Sequence, residues 1–378
     1  MKRIAILGCT GSVGVNALRL IDERREAFTV VALGANQSKE QLQQQIHDFR
    51  PEAACLVSGG LEAADIPSGT AVFSGADGLL EALDATQPEL LLNAITGAAG
   101  LPASEWALRN GIPLALANKE SLVMAGSYLM ELAATTNTPI LPVDSEHCAI
   151  YQCLQGEDPA KIRRIWLTGS GGPFRERDPR TFAQITPDEA LRHPTWEMGP
   201  RITIGSATMM NKAFEILEAR WLFGIAREQI EVVIHPQSIV HSMVEFIDGS
   251  IMAQMGVPDM RVPILYCLSH PERSPFDFEP FDPIKFRELT FEAVDPERFP
   301  AIALAQQALT AGGDSGAVLN AADEVATGLF LEGKIDFPSI TRTVSEILDR
   351  HETRPITCLE DVLEADRKAR EEALTAAC

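Results

Sequence analysis

Long apolar runs are missing from this chain of 378 residues: none approaches the ~18 residues of a membrane-spanning helix, so no membrane anchor is expected. Basic residues are also scarce. There are 32 against 53 acidic ones, a formal net charge of −21. Such a surface repels a nucleic-acid backbone or an anionic bilayer, which argues against both as partners. A phosphorylated small molecule stays admissible, because a few local donors outweigh a diffuse distant charge. Paired cysteines are absent too. The seven present are odd in number, scattered and without C-x-x-C spacing. They fit reduced thiols of a cytoplasmic protein and exclude a disulfide frame or zinc knuckle. The opening Met1-Lys2-Arg3, with an apolar run broken at Gly8, is too short for a signal peptide. Aromatics make up only 6%, yet 46% of residues are hydrophobic, enough for a large core spread over two or three domains. There is no internal repeat and no low-complexity tract.

What is present has a clear order. Up to residue 145 short apolar runs alternate with amphipathic stretches. Strands are expected at Arg3–Leu7, Thr29–Leu33, Ala53–Val57, Leu90–Asn93, Pro113–Ala117 and Ile140–Pro142. Helical periodicity covers Val13–Glu23, Glu40–Phe49 and Ser121–Ala134. This alternation predicts an α/β, Rossmann-like domain over 1–145, its parallel sheet covered on both faces. Residues 146–270 predict an α+β domain. Its strands are Arg164–Thr168, Glu231–Ile234, Ile239–Ile247 and Ser250–Met255, the last two joined at Asp248-Gly249. One long helix is expected over Ala207–Phe223, closed by Gly224. Residues 271–298, rich in Pro, Phe and Asp, read as a linker. The remainder, 299–378, predicts a C-terminal helical bundle of three or four helices.

Gly8-Cys9-Thr10-Gly11-Ser12-Val13-Gly14 follows the first strand and opens a helix. The glycines permit a tight turn, and the free N–H groups at the helix start suit a pyrophosphate. A plain tight turn is the alternative. This GxxGxxG spacing is a variant found in several NADP-linked families. After the second strand, Gly34-Ala35-Asn36-Gln37-Ser38-Lys39 holds no acidic residue for a ribose 2′-hydroxyl, which argues against NAD. It holds no Arg either, so an NADP phosphate would rely on neutral donors and Lys39.

Asp144-Ser145-Glu146 places two carboxylates two residues apart at a strand end, on one side of an extended backbone. Hard divalent cations take such oxygen ligands; a helix N-cap by Asp144 or Ser145 is the alternative. On the long helix Asn211, Lys212 and Glu215 share a face. Lys212 and Glu215 form either a solvated surface pair or, with Ser206, an anion site beside a carboxylate. Thr168-Gly169-Ser170-Gly171-Gly172-Pro173 is a second turn suited to an oxyanion. His193-Pro194-Thr195-Trp196-Glu197-Met198-Gly199-Pro200 has the composition of a lid, or else of a subunit contact.

Taken together, these segments resemble the 1-deoxy-D-xylulose 5-phosphate reductoisomerase family. The resemblance is carried in order over nearly the whole chain by GCTGSVG (8–14), LANKESLV (116–123), LPVDSEHCAI (141–150), LTGSGGPF (167–174) and HPTWEMG (193–199). It continues through SATMMNKAFEILEARWLF (206–223), IHPQSIVHSMV (234–244) and LNAADE (319–324). The resemblance implies a homodimer that rearranges and reduces a phosphorylated ketose with NADPH and a divalent cation, Mg²⁺ or Mn²⁺, with Co²⁺ as a further candidate. It makes 1–145 the NADPH-binding domain and 146–270 the catalytic and dimerisation domain.

Carried over by position, Asp144, Glu146 and Glu215 would hold the metal and, with Lys119, form the catalytic set. Lys119, Ser145, Glu146, Glu215 and Trp196 would meet the substrate. Ser170, Ser206, Asn211 and Lys212, with His193 beside them, would hold its phosphate. Thr10, Gly11, Ser12, Val13, Asn118, Glu120 and Gly199 would line the cofactor site, with Asn36 and Gln37 near the 2′-phosphate. Two positions depart from the family pattern. Asn36-Gln37-Ser38 stands where a Gly-Lys/Arg-Asn type segment is frequent, and Gly205 where Asp often precedes the Ser-Ala-Thr run. The competing class is another NADP-dependent dehydrogenase of the semialdehyde or homoserine type, which shares the glycine loop. It would need a nucleophilic Cys or a Lys/Asp pair, and Cys148, the nearest candidate, lacks an evident base. A redox-sensing NADP-binding module would leave three carboxylates and two anion loops without purpose.

Overall fold

The alternating apolar runs of the N-terminal third build a seven-stranded parallel sheet. Its strands are β1 (Lys2–Leu7), β2 (Phe28–Ala35), β3 (Ala53–Leu56), β4 (Ala71–Ser74), β5 (Leu90–Asn93), β6 (Leu114–Leu116) and β7 (Ile140–Pro142). The helices α1 (Ser12–Asp22), α2 (Lys39–Phe49), α3 (Gly75–Thr86), α4 (Leu101–Arg109) and α5 (Lys119–Thr136) connect them. Ile4 to Leu7 and Leu90 to Leu92 are fully buried, as strands covered on both faces must be. Strand β4 carries no strong sequence signal because its residues at this sheet edge are exposed or half-buried. The strand order β4-β3-β2-β1-β5-β6-β7 reverses direction beside β1. Open α/β sheets bind ligands at the carboxyl ends of strands at such a switch point, which is where the glycine loop leaves β1.

Further along the chain come α6 (Ser145–Cys153), β8 (Ile162–Gly169), α7 (Pro187–Ala190), α8 (Pro200–Thr208), α9 (Met210–Phe223), β9 (Ile230–Ile234), β10 (Val240–Phe246) and β11 (Ile251–Met255). They are followed by α10 (Arg261–Ser269), β12 (Glu292–Ala293), α11 (Ala301–Ala311), α12 (Ser315–Leu331), α13 (Phe337–Arg350) and α14 (Leu359–Ala376). This computed structural model describes residues 1–62, 66–192 and 199–377. They form two compact units: Met1–Asn118, Leu129–Asp144 and Met260–Phe276 make the first, and Lys119–Tyr128, Ser145–Asp259 and Asp277–Cys378 the second.

A mixed sheet of order β11-β10-β8-β9-β12 lies in the second unit. Its β10–β11 hairpin turns at Asp248-Gly249 as expected: Ser250 N donates to Asp248 Oδ1 at 2.9 Å, and Gly249 takes φ 87°. Two expectations need correction. The single helix over Ala207–Phe223 is in fact α8 and α9, broken at Met209, whose φ is 63°. No Gly or Pro announces this break; the Thr208 hydroxyl accepts from Met210 N at 3.3 Å and satisfies the freed donor there. The irregular stretch over 271–298 contains β12, which pairs Glu292 with Ile234 and Ala293 with Val233. Helix α8 packs on the bundle helices α12 and α13 through Phe174, Phe182, Ile204, Phe330, Phe337 and Ile340. The Phe337 ring meets Phe174, Phe182 and Phe330 edge-on at 5.3, 5.8 and 5.7 Å. Each such pair contributes about 0.5–1.5 kcal/mol beyond its buried area, and Ile204 and Ala207 of α8 pack into this cluster.

Candidate functional site

In the first unit the glycine loop is determined by close approach. Gly8 has φ 79°, and a Cβ there would lie 2.3 Å from the Ala94 carbonyl oxygen. A Cβ on Gly14 would lie 2.4 Å from the Gly8 oxygen, so only glycine lets α1 start this close to β1. Gly11 caps α1 in extended conformation without a side-chain hydrogen bond, and Gly11 and Ser12 are exposed. The first N–H groups of α1, with Thr10 and Val13 at their sides, thus face an open position suited to an anion. Cys9 is fully buried and burial pushes its thiol up to about 12, against two backbone hydrogen bonds that pull it down. It stays a protonated, inert thiol at neutral pH. Asn36 and Gln37 are exposed directly after β2, and the Ser58 hydroxyl donates to Asn36 Oδ1 at 2.9 Å. Asn118 has a structural task that sequence reasoning did not assign. Its buried amide donates to the Ile95 and Gly97 carbonyls at 2.7 and 2.9 Å and clamps the loop after β5.

The second unit gathers Lys119, Ser145, Glu146, Lys212 and Glu215. The Lys212 stem runs past Gly169, where a Cβ would lie 2.9 Å from Lys212 Cε. Its ammonium donates to Glu146 Oε1 at 2.9 Å, to the Thr168 carbonyl at 2.5 Å, and to Glu215 Oε2. Lys212 and Glu215 are each only 4% exposed, which rules out the solvated surface pair. Lys119 Nζ stands 3.4 Å from Glu215 Oε1, and the Ser145 hydroxyl donates to Glu146 Oε2. Burial pushes Glu146 up, but the Lys212 ammonium, the Ser145 hydroxyl and Lys119 together hold it down to about 2. Lys212 is likewise pulled down by burial and raised well above its usual range by Glu146 and Glu215. A buried carboxylate, Glu215, and a half-buried one, Glu146, already converge on a cation here, the donor chemistry that a hard divalent ion requires. Asp144 precedes Ser145 as the last residue of the first unit.

His147 escaped the sequence reading. Its Nε2 lies 2.8 Å from the Glu215 carbonyl oxygen and its Nδ1 3.4 Å from Glu218 Oε2, so α6 and α9 are tied where they carry Glu146 and Glu215. The spacing of Glu215 and Glu218 on one helix face was the available signal. His241 is also buried, and burial holds it below the usual imidazole range, with Glu146 opposing and His235 adding to the effect.

Gly171 and Gly172 take φ of 82° and 67°, and a Cβ on Gly172 would lie 2.6 Å from the Ser206 carbonyl oxygen. The glycines therefore bring the Ser170 turn against α8 at Ser206. Gly172 N donates to Ser170 Oγ at 3.3 Å. Asn211 Nδ2 donates to the Ile202 carbonyl at 2.7 Å, which lays its side chain over Gly205. A Cβ at 205 would lie 2.4 Å from Asn211 Oδ1, so the family departure at Gly205 is what admits this Asn211 conformation. Glu120 is buried and faces Arg201 at 3.4 Å, and Gly199 caps α8. His193 and Trp196 lie outside the described residues.

An open parallel sheet with a glycine cradle at its switch point, in a chain that also buries a carboxylate–ammonium cluster, defines a nucleotide-dependent oxidoreductase of the α/β class. Family models for 1-deoxy-D-xylulose 5-phosphate reductoisomerase match residues 4–126 and, for its C-terminal domain, 140–223; a DXP reductoisomerase C-terminal domain model matches 255–372. The chain is 46% identical over 376 residues to the 1-deoxy-D-xylulose 5-phosphate reductoisomerase of Anaeromyxobacter sp. (strain K), covering 99% of this chain and 96% of that protein. It is 48% identical over 382 residues to that of Symbiobacterium thermophilum, covering 98% of each. The Zymomonas mobilis enzyme in complex with NADPH superposes with a TM-score of 0.92 at 41% identity, over 100% of this chain and 98% of that one. A DOX-P reductoisomerase in complex with NADPH, fosmidomycin and magnesium gives 0.94 at 36% identity, over 100% and 98%. The chain belongs to the 1-deoxy-D-xylulose 5-phosphate reductoisomerase family. The semialdehyde- or homoserine-type dehydrogenase is thereby set aside.

Proposed function

We propose that this chain catalyses the NADPH- and divalent-metal-dependent rearrangement and reduction of 1-deoxy-D-xylulose 5-phosphate to 2-C-methyl-D-erythritol 4-phosphate, in the non-mevalonate route to isoprenoids. The observation that carries this reading is the buried Glu146–Lys212–Glu215 cluster, found in a chain whose relatives bear that enzyme's name. Asp144, Glu146 and Glu215 would hold the metal. Thr10, Gly11, Ser12 and Val13 would hold the NADPH pyrophosphate, with Asn36, Gln37, Asn118, Glu120 and Gly199 along the rest of the cofactor. When bound, the metal supplies a Lewis acid for the substrate's oxygens and NADPH supplies a hydride.

The chain's own groups do the remainder. Lys119, with its ammonium at the cluster, stabilises negative charge on a substrate oxygen, and the Ser145 hydroxyl orients that oxygen. Glu146, held as a carboxylate by Lys212, Ser145 and Lys119, is placed to shuttle a proton at the substrate's oxygens. Ser170, Ser206, Asn211 and Lys212, with His193, hold the phosphate, so that binding free energy remote from the reacting carbons orients them. Trp196, by its position in the family motif, would exclude water from the bound sugar. A homodimer is supported by the edge strand β11, which exposes Ile251 at 57% and Met255 at 40% and offers its unpaired edge to a second copy. The free cysteines support a reducing cytoplasmic compartment. No helix among the described residues is long and apolar enough to cross a membrane.

Glu215→Gln tests the reading. The variant should keep the wild-type circular dichroism spectrum and NADPH affinity yet lose metal-dependent NADPH oxidation with the sugar phosphate. Near-normal turnover at ordinary magnesium concentration would refute the assignment.

A further inference from the structure

Arg201, in the first turn of α8, is 20% exposed and belongs to none of the groups assigned above. Its guanidinium reaches two other helices at once, α12 and α5. Nη1 lies 2.6 Å from Glu324 Oε1 and 3.4 Å from Glu120 Oε1, and Nη2 lies 2.9 Å from Asn320 Oδ1 and 3.9 Å from Asp323 Oδ2. The other Glu324 oxygen accepts from Arg370 at 2.5 Å, and Arg370 in turn pairs with Asp366 at 2.7 Å. Asn320 Nδ2 donates to Glu324 Oε1 at 3.1 Å and to Met124 Sδ at 3.4 Å. The start of α5 therefore meets α12 and α8 through this one cluster. Farther along α5 the fit is steric: a Cβ on Gly126 would lie 2.0 Å from the Trp221 ring, and one on Gly316 would lie 2.0 Å from the Val123 carbonyl. In the first turn of α5 the Glu120 carboxylate is held by charge, beside the Lys119–Glu215 pair, and its guanidinium partner comes from the helix whose other end carries Ser206.

We infer that Arg201 is a positioning residue for the reaction: by holding Glu120 it sets the first turn of α5, and with it Lys119, relative to the phosphate-binding end of α8. This rests on the proposed contact of Lys119 with substrate. Lys119 Nζ reaches Glu215 at 3.4 Å, the same separation as Arg201 from Glu120, so a shift of the turn alters both contacts together. A misplacement of about 1 Å is worth up to about 10²-fold in rate. The planar fork of arginine serves several acceptors from one position, which a lysine ammonium does not.

The test uses the full-length protein with Arg201→Met, Arg201→Lys, Glu120→Gln, the Arg201→Met/Glu120→Gln double variant and Lys119→Ala. The readouts are kcat at saturating NADPH and sugar phosphate, NADPH affinity, and the thermal midpoint. Arg201→Met should lose about ten- to a hundred-fold in kcat while remaining folded at the assay temperature, and Arg201→Lys should recover part of the loss. The double variant should be no worse than Arg201→Met, because both changes remove one contact. A kcat for Arg201→Met within two-fold of wild type, or additive losses in the double variant, overturns the inference. Should Arg201→Met fail to fold, Glu120→Gln decides: a ten-fold loss of kcat with NADPH affinity unchanged supports positioning, and an unchanged kcat, or a loss that follows weakened NADPH binding, refutes it. An active Lys119→Ala instead refutes the reading of the site itself, whereas an inactive Lys119→Ala beside fully active Arg201 and Glu120 variants refutes only the inference.

Discussion

Replacing Lys212 by Met removes the cation from the buried cluster and leaves most of the side-chain volume in place. Glu146 and Glu215 would then lose their shared cation, with Lys119 remaining 3.4 Å from Glu215 Oε1, and the Thr168 carbonyl would lose its 2.5 Å donor. Breaking a buried ion pair by deleting one partner costs about 3–5 kcal/mol, because the remaining charge is uncompensated in a poorly solvated place. For domains of this size each kcal/mol lowers the melting temperature by about 2–4 °C, so the metal-free variant should melt about 6–20 °C below wild type. The same two carboxylates are the proposed metal ligands. In wild type a divalent ion must compete with the Lys212 ammonium; in the variant it does not. Magnesium at 100 times its dissociation constant stabilises by about 2.7 kcal/mol through linkage, and this increment should be larger in the variant at any fixed concentration. Scanning calorimetry of both proteins in EDTA and in magnesium measures the two effects. A drop under about 2 °C in EDTA, less than 1 kcal/mol on this scale, would refute the buried pair. A magnesium increment no larger in the variant than in wild type would refute Glu146 and Glu215 as ligands.

Burial pushes Asp323 up to about 6, with Arg201 opposing and Glu324 and Glu120 adding to the rise. The folded state therefore keeps a proton that the unfolded chain has released, so stability falls as pH rises from about 4 through about 6, by up to about 3 kcal/mol. Asp323→Asn should melt above wild type at pH 7.5 and level with it near pH 4; an equal difference at both pH values refutes this. Gly205→Ala should displace Asn211 and raise KM for the sugar phosphate several-fold, with kcat within two-fold and little change in melting temperature; an unchanged KM means Asn211 does not hold the phosphate in this conformation. Hydrogen bonds to a charged group contribute roughly 1.5–3 kcal/mol each, so a single such donor after β2 predicts a preference for NADPH over NADH of about ten- to a few-hundred-fold in kcat/KM. Asn36→Asp should shift that ratio toward NADH, and an unchanged ratio would place the 2′-phosphate elsewhere.

Local chemistry made the nucleotide-binding half legible. Gly8 and Gly14 stand where any Cβ would strike backbone, so residue type itself records the turn, and the apolar runs of β1, β2 and β5 record burial on both faces. The shared helix face of Lys212 and Glu215 was legible for the same reason, since a three-residue spacing translates directly into a face; the extended-strand reading of Asp144 and Glu146 was not correct, because β7 ends at Pro142 and Ser145 and Glu146 open α6. Partner choice was not legible. Whether Lys212 and Glu215 were solvated or buried depended on Glu146, 66 residues away, and the grip of Arg201 on Glu324 spans 123 residues. The break at Met209 followed from a threonine hydroxyl satisfying one freed N–H, and β12 from pairing with a distant strand. The sequence alone thus determined where the cradle and the charged groups lie along the chain. Only the tertiary structure decided which charges are desolvated and which cation each carboxylate meets, because burial is a property of the packed chain and not of any local segment.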